Sequence, residues 1–300
     1  MPILSSNVFL FAVCACVWGS TWIAINYQIH DMHIMLSVAL RFGLAAAIMG
    51  IFCLVKGISL KLPFKQHKLI ALAGVFLYTM DYSFLYAAQQ HMISALLAVL
   101  SSTVIYFNVI LRRVIMGKAM RTEVILGATV GLVGIVMIFL PEFEAFSTQQ
   151  GIVVGLMFAT GSFLSAALGN VVSEKVLSGE IRVLQMNFWA MTYGVIVTVT
   201  IAIISGAKLI WPSESSYYIS LLYLVVFGSI IAFGAYMRLL KQIGADKAAY
   251  VVLVYPVVAL AISTVFEGYT WSLLSLFGVV FVLFGNAIAM GKLNKILSIS

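Results

Sequence analysis

Ten apolar runs of roughly membrane length follow one another along this chain, with only short polar links between them. A hydrocarbon core of about 30 Å needs about 20 apolar residues at 1.5 Å each in a helix. Runs of that size fall at 8–27, 34–55, 69–88, 93–111, 123–140, 151–173, 184–205, 217–238, 246–266 and 273–290. Backbone polar groups in lipid must be satisfied within the segment, so such runs are helices. Composition agrees. Hydrophobic residues make up 63% and charged residues 9%, with a mean hydropathy of +1.12, whereas a soluble domain averages about 25% charged. The links are too short for a domain outside the bilayer. Residues 1–7 carry no Lys or Arg, and the first run is a full span, so an ordinary transmembrane helix is expected there rather than a cleaved signal peptide. The fold class predicted is an all-α integral membrane protein of ten transmembrane helices.

A net charge of +7 raises nucleic acid as a partner, but the bases do not gather on one face. They mark topology instead. Lys56, Lys61, Lys65 and Lys68 share one loop, and Arg112, Arg113, Lys118 and Arg121 another. Lys175 and Arg182 follow the sixth run, Arg238, Lys241 and Lys247 surround the next turn on that side, and Lys292 and Lys295 come last. Fifteen of the 17 bases therefore fall on one side, leaving Lys208 opposite and Arg41 inside a span. Basic loops stay in the cytoplasm, so both termini are expected there. Trp211, Tyr217, Tyr218, Tyr269 and Trp271 are expected to form an outer interfacial belt.

The two halves resemble each other. At an offset of 151, Gly117 falls on Gly268, Gly127 on Gly278, Gly134 on Gly285 and Ala98 on Ala249; at an offset of 142, Gly19-Ser20 meets Gly161-Ser162. Five helices per half is an odd number, so the second half enters the membrane reversed. Such inverted repeats are typical of secondary transporters, which bind substrate near the midplane. The repeats are expected at 1–146 and 147–300.

Particular residues carry a further likeness. Tyr223-Leu224, Gly228, Lys241-Gln242-Ile243-Gly244-Ala245, Ala249-Tyr250, Tyr255-Pro256, Phe266-Glu267-Gly268, Gly278 and Gly285 resemble the second repeat of the drug/metabolite transporter superfamily, in its EamA-type ten-helix branch. Trp18-Gly19-Ser20, Leu40-Arg41-Phe42, Tyr86-Ala87-Ala88, Ser94-Ala95-Leu96-Leu97-Ala98, Gly127 and Gly134 match in the first. The first repeat departs from the pattern at Ile105 and Met116, where the second has Pro256 and Glu267. The resemblance implies a small-molecule permease of the cytoplasmic membrane, often an exporter of amino acids, metabolites or toxic organic compounds, with no cofactor.

Ionisable groups within a span cost about 2.5–3.5 kcal/mol on insertion scales, and they mark function by default. Arg41 and Asp81 are the two candidates, each about 10 Å below the outer surface. Equal depth permits an ion pair; Arg41 is also placed to reach headgroups. Tyr78 and Tyr82 fall within about 60° of Asp81 on an ideal helical wheel, and Tyr86 extends the stripe. Phenol rings beside a carboxylate suit a cation, or an aromatic substrate whose ammonium the carboxylate holds; tyrosines packing between helices is the alternative. Ser94, Ser101 and Asn108 form a thin polar line on the fourth helix, read as a cavity wall or as interhelical hydrogen bonds. Trp18 and Trp189 lie too deep for a belt and are expected to face the interior. Ser20, Ser162 and Tyr250 complete the candidate substrate-binding set, with Pro256 as a hinge. Gly161, Ser165 and Gly169, and separately Gly127, Gly131 and Gly134, read as packing seams. Cys14, Cys16 and Cys53 read as small core residues.

Other chemistries are disfavoured. His30 and His33 with Asp31 make a weak metal signal. No phosphate loop or dinucleotide fingerprint is present, which excludes an ATP-driven pump for this chain alone. One Arg and one Asp give no nucleophile with its base, so an intramembrane enzyme is the weaker alternative, as is an assembly factor. The expectation is a non-enzymatic permease moving a small organic metabolite, foremost an amino acid or a related amphipathic or cationic compound, across the cytoplasmic membrane by alternating access. Its cavity should be lined from helices one, three, four, six, eight and nine. Export is favoured over import or facilitated diffusion. Its partners are that substrate and the lipid bilayer, with proton coupling open, no nucleic acid, and a monomer or homodimer.

Overall fold

The computed structural model of the chain describes residues 6–29, 32–91, 97, 100–146, 151–266 and 271–289. Apolar runs become helices: α1 Asn7–Asn26, α2 Ile34–Val55, α3 Phe64–Gln89, α4 Thr103–Met116, α5 Thr122–Phe146, α6 Ile152–Leu177, α7 Val183–Ile204, α8 Ser215–Ile243, α9 Val251–Phe266 and α10 Leu273–Ala289. Six of them, α1–α3 and α6–α8, are long and apolar enough to cross a membrane. The protein is an all-α, multi-pass membrane protein, and no strand occurs among the described residues.

Several boundaries differ from the sequence reading, each for a local reason. Helix α3 starts at Phe64 rather than 69, because Pro63 sits at its N-cap with φ −61°, a position where a missing N–H costs nothing. Lys65 and Lys68 therefore lie on the helix. Helix α5 continues through Pro141 to Phe146, as membrane helices tolerate. The ninth run is broken. Ala245–Ala248 forms a separate short helix, and α9 begins only at Val251. The break falls at Ala249 and Tyr250, while Gly244, whose φ of +87° is open to glycine and rare for other residues, separates the short helix from α8. The backbone of α3 is in π form over Val75–Asp81, and that of α8 over Leu224–Ile231. These two segments occupy corresponding places in the third helix of each half.

Packing exchanges the halves. Helix α1 lies against α8 and α9, while α6 lies against α3 and α4; α2 pairs with α7, and α5 with α10. The α5–α10 seam shows the inversion at atomic scale. A Cβ on Gly127 would lie 2.5 Å from the Gly285 carbonyl oxygen, and one on Gly134 would lie 2.5 Å from that of Gly278. The offset of 151 that maps Gly127 onto Gly278 also maps Gly134 onto Gly285. Exchanging the halves thus turns one contact into the other, with the helices antiparallel. Gly161 and Gly169 serve a similar seam, facing Phe84 and Leu77 of α3.

Polarity is turned inwards. Leu54 and Ile204 are 78% and 81% exposed, whereas Arg41, Asn108 and Ser162 are at most 1% exposed. Outward apolar side chains suit lipid, and inward polar ones must find partners or line a cavity. Cys14 and Cys53 are buried, but Cys16 is exposed, because two residues of helix rotate it to the opposite side. Trp211, Tyr218 and Trp271 are exposed as a belt requires, and Tyr217 is not. The Tyr217 hydroxyl is instead hydrogen-bonded to Ser37 Oγ at 2.9 Å, inside the bundle. Tyr269 lies outside the described residues.

Candidate functional site

A cavity of about 110 Å³ lies where the halves meet, lined from α1, α3, the α4 region, α6, α8 and α9. These are the six helices expected from the sequence. Its wall is aromatic: Trp18 and Trp22 on α1, Tyr82 on α3, Phe233 and Tyr236 on α8, and Tyr255 on α9. Trp18 sits 5.0 Å from Tyr236 and 5.3 Å from Phe233, ring centre to ring centre. Its Nε1 donates to the Gly228 carbonyl at 3.3 Å, within the π segment of α8. Ring faces of this kind attract cations and pack against flat apolar groups.

Among the described residues, Asp81 supplies the one acidic group on this wall. It ends the π segment of α3, and its Oδ1 accepts a 2.6 Å hydrogen bond from Ser162 Oγ on α6. Asp81 thus bridges the halves while presenting carboxylate to the cavity. Ser101 accepts from the Tyr255 hydroxyl at 2.6 Å, a second bridge between halves. Asn170 also lines the cavity. It was missed in the sequence, although it stands eight residues after Ser162, on the same face of α6.

Arg41 is fully buried and does not pair with Asp81. Its Nε donates to Ser229 Oγ at 3.0 Å and its Nη1 to the Tyr86 hydroxyl at 3.3 Å. The guanidinium also lies 4.7 Å from the Tyr82 ring centre and 5.0 Å from that of Phe42. In place of the ion pair that equal depth permitted, Arg41 meets neutral hydroxyl acceptors and ring faces, and burial inside the bundle rules out a headgroup contact for this side chain. Tyr82 touches both environments, lining the cavity and stacking on Arg41.

Other candidates are placed away from the cavity. The π segment adds residues per turn, so the ideal wheel fails there: Tyr78 packs between Phe42 and Phe233, at 4.8 and 5.0 Å, and does not line the cavity. Ser20 is turned to Tyr223 of α8 and is bonded to its hydroxyl. Trp189 lies at the basic-loop end, donating to the Leu60 carbonyl at 2.8 Å and packing edge-on against His67 at 4.8 Å. Tyr250 donates to the Val124 carbonyl. Asn108 donates to the Ala245 carbonyl at 3.2 Å, below the cavity rather than in its wall. Ser94, His30, Asp31 and Glu267 lie outside the described residues. Pro256 lies inside α9, where it lacks the N–H that the carbonyl of Val252 would accept. Val252 is a lining residue, so the freed carbonyl belongs to the cavity's helix wall.

An inverted bundle with inward polarity and a central cavity defines a protein of the membrane-transporter class. The EamA-like transporter family model matches residues 5–140 and 153–291, and the chain belongs to that family. It is 27% identical over 263 residues to the "Uncharacterized inner membrane transporter YedA" of Escherichia coli, covering 85% of this chain and 81% of that one. It is 24% identical over 286 residues to the "Probable amino-acid metabolite efflux pump" of Salmonella typhimurium, covering 92% of each. A solved structure, "Crystal structure of protein", matches with a TM-score of 0.79 at 17% identity, over 97% of this chain and 99% of that one. That likeness concerns the fold.

Proposed function

We propose that the protein is a secondary transporter that exports a small amino acid or amphipathic amine through the cytoplasmic membrane. One observation carries this reading: the Asp81 carboxylate faces an aromatic cavity between two inverted halves. The carboxylate receives an ammonium, the rings of Trp18 and Tyr82 cover its flanks, and Arg41 behind Tyr82 adds a positive field that favours a carboxylate at the other end. Asp81 is also the group through which a proton would be exchanged. The transporter names of the relatives, one of them an efflux pump, support export.

In this reading the chain crosses ten times with both termini cytoplasmic, and the halves 1–146 and 147–300 rock about the cavity, with Pro256 as a flexible point. One chain completes the cavity, so a monomer suffices. Its 110 Å³ is less than the roughly 150 Å³ cavity that takes benzene. The described state therefore fits a compact substrate, and a bulky one would enter only as the halves part.

Flux into ATP-free proteoliposomes tests the proposal, using small neutral and basic amino acids and organic ammonium ions. Saturable flux of at least one compound is expected. Absence of flux across the set, in folded protein, would overturn it.

A further inference from the structure

All three ion pairs among the described residues gather at one end of the bundle, and all join one half to the other. Arg112 of α4 forks onto Glu174 of α6, with Nε 2.9 Å from both carboxylate oxygens and Nη2 2.7 Å from Oε1. Its Nη1 reaches Asp246 Oδ2 at 3.1 Å, and Arg121 Nε lies 3.6 Å from the same oxygen. Glu174 also accepts from the Ala245 backbone N–H at 2.9 Å. Gly244 is required beside it, since a Cβ there would lie 2.6 Å from Arg112 Nη2. At the other end the halves are joined by neutral groups: Gln28 Nε2 donates to the Tyr217 carbonyl at 2.9 Å and to Ser220 Oγ at 2.6 Å.

The charged cluster sits directly beneath the cavity. Val104 and Asn170 line the cavity on α4 and α6. Arg112 lies about two turns beyond Val104 and Glu174 about one turn beyond Asn170, both toward the basic loops. Asp246 is on the short helix that leads into α9. Arg112, Glu174 and Asp246 are 7%, 8% and 2% exposed, so they fill this end of the bundle.

Burying an ion pair costs about as much in lost hydration as its attraction returns, so such pairs are poor permanent staples. This one is also incompletely satisfied: Asp246 Oδ1 and Asn108 Oδ1 are buried without a hydrogen-bond partner among the described residues. Separating the halves would let water reach every one of these groups. Closed and open forms are thereby brought near in free energy, as a gate requires.

We propose that Arg112, Glu174 and Asp246 form the gate that closes the cavity toward the basic loops. Its opening exposes Asp81 to that side. The inference rests on the transporter reading above, but its test needs no substrate. Asn170→Cys, in a background with Cys14, Cys16 and Cys53 replaced by Ser, reports the cavity floor. A membrane-impermeant charged maleimide is applied from the basic-loop side, in inverted vesicles. Labelling of the background should be slow. Glu174→Gln keeps the shape and removes the charge, and should raise the labelling rate at least tenfold; Asp246→Asn should raise it at least threefold. Folding is checked by size exclusion, and a second reporter, Ala45→Cys, is buried away from the cavity. Rates within twofold of background in either folded variant would overturn the gate. So would equal increases at Ala45→Cys, which would mean general loosening. Gated labelling without flux of any compound tested would sustain the gate and refute the transporter reading.

Discussion

Arg41 and Asp81 both carry charge into the bundle interior, but their surroundings assign them different tasks. Asp81 faces the cavity with Ser162 as its protein donor, whereas Arg41 is held by Ser229, Tyr86 and two aromatic rings. Arg41→Leu should therefore cost stability chiefly by stranding Ser229 Oγ and the Tyr86 hydroxyl, at about 1–3 kcal/mol for each buried polar group left unpaired. Thermal unfolding in detergent measures this. Because the two residues do not form an ion pair, Arg41→Leu with Asp81→Leu should be no more stable than Arg41→Leu alone. A double variant restored to the parent melting temperature would mean a pair that the structure does not show.

Among the helices, the glycine seam between α5 and α10 is the contact least tolerant of added volume. Gly127→Ala would place its Cβ 2.5 Å from a backbone oxygen, which cannot swing aside, so a loss of about 1–3 kcal/mol is expected by overpacking. Gly234 is the contrast. Nothing lies within 4 Å of a Cβ there, and Gly234→Ala should be neutral or stabilising by about 0.4–1 kcal/mol. Comparing the two melting temperatures checks both. This seam was legible in the sequence, because apolar periodicity and the 151-residue offset both survive in one dimension. Tyr78 was not. A helical wheel assumes an unbroken α-helix, and the π segment at Val75–Asp81 changes which side chains face the cavity. Trp189 and Asn108 stand apart from the cavity for another reason: their partners are the carbonyls of Leu60 and Ala245, and backbone acceptors leave no mark in composition. For Asn108 this is the interhelical hydrogen bond, the other reading of its polar line. Arg112 was read with the loop bases, since its partners Glu174 and Asp246 come close only when the halves fold together.

For the whole molecule, the basic loops and the exchanged packing make two statements that stand or fall separately. A reporter fused to the C-terminus should be active in the cytoplasm and silent outside it, as the distribution of Lys and Arg requires. Periplasmic activity would reverse the assigned orientation while leaving the inverted bundle intact. The central claim is that substrate passes through the cavity at Asp81. Counterflow in proteoliposomes, driven by unlabelled substrate inside, tests it directly with a compound found active in the flux set. Asp81→Asn keeps the shape and an acceptor for Ser162 but removes the charge and the titration. Ser20→Ala, which alters a residue outside the cavity, is the matched control. The account predicts at least a tenfold loss of counterflow in Asp81→Asn, with Ser20→Ala within about twofold of the parent. Undiminished counterflow in well-folded Asp81→Asn would contradict it.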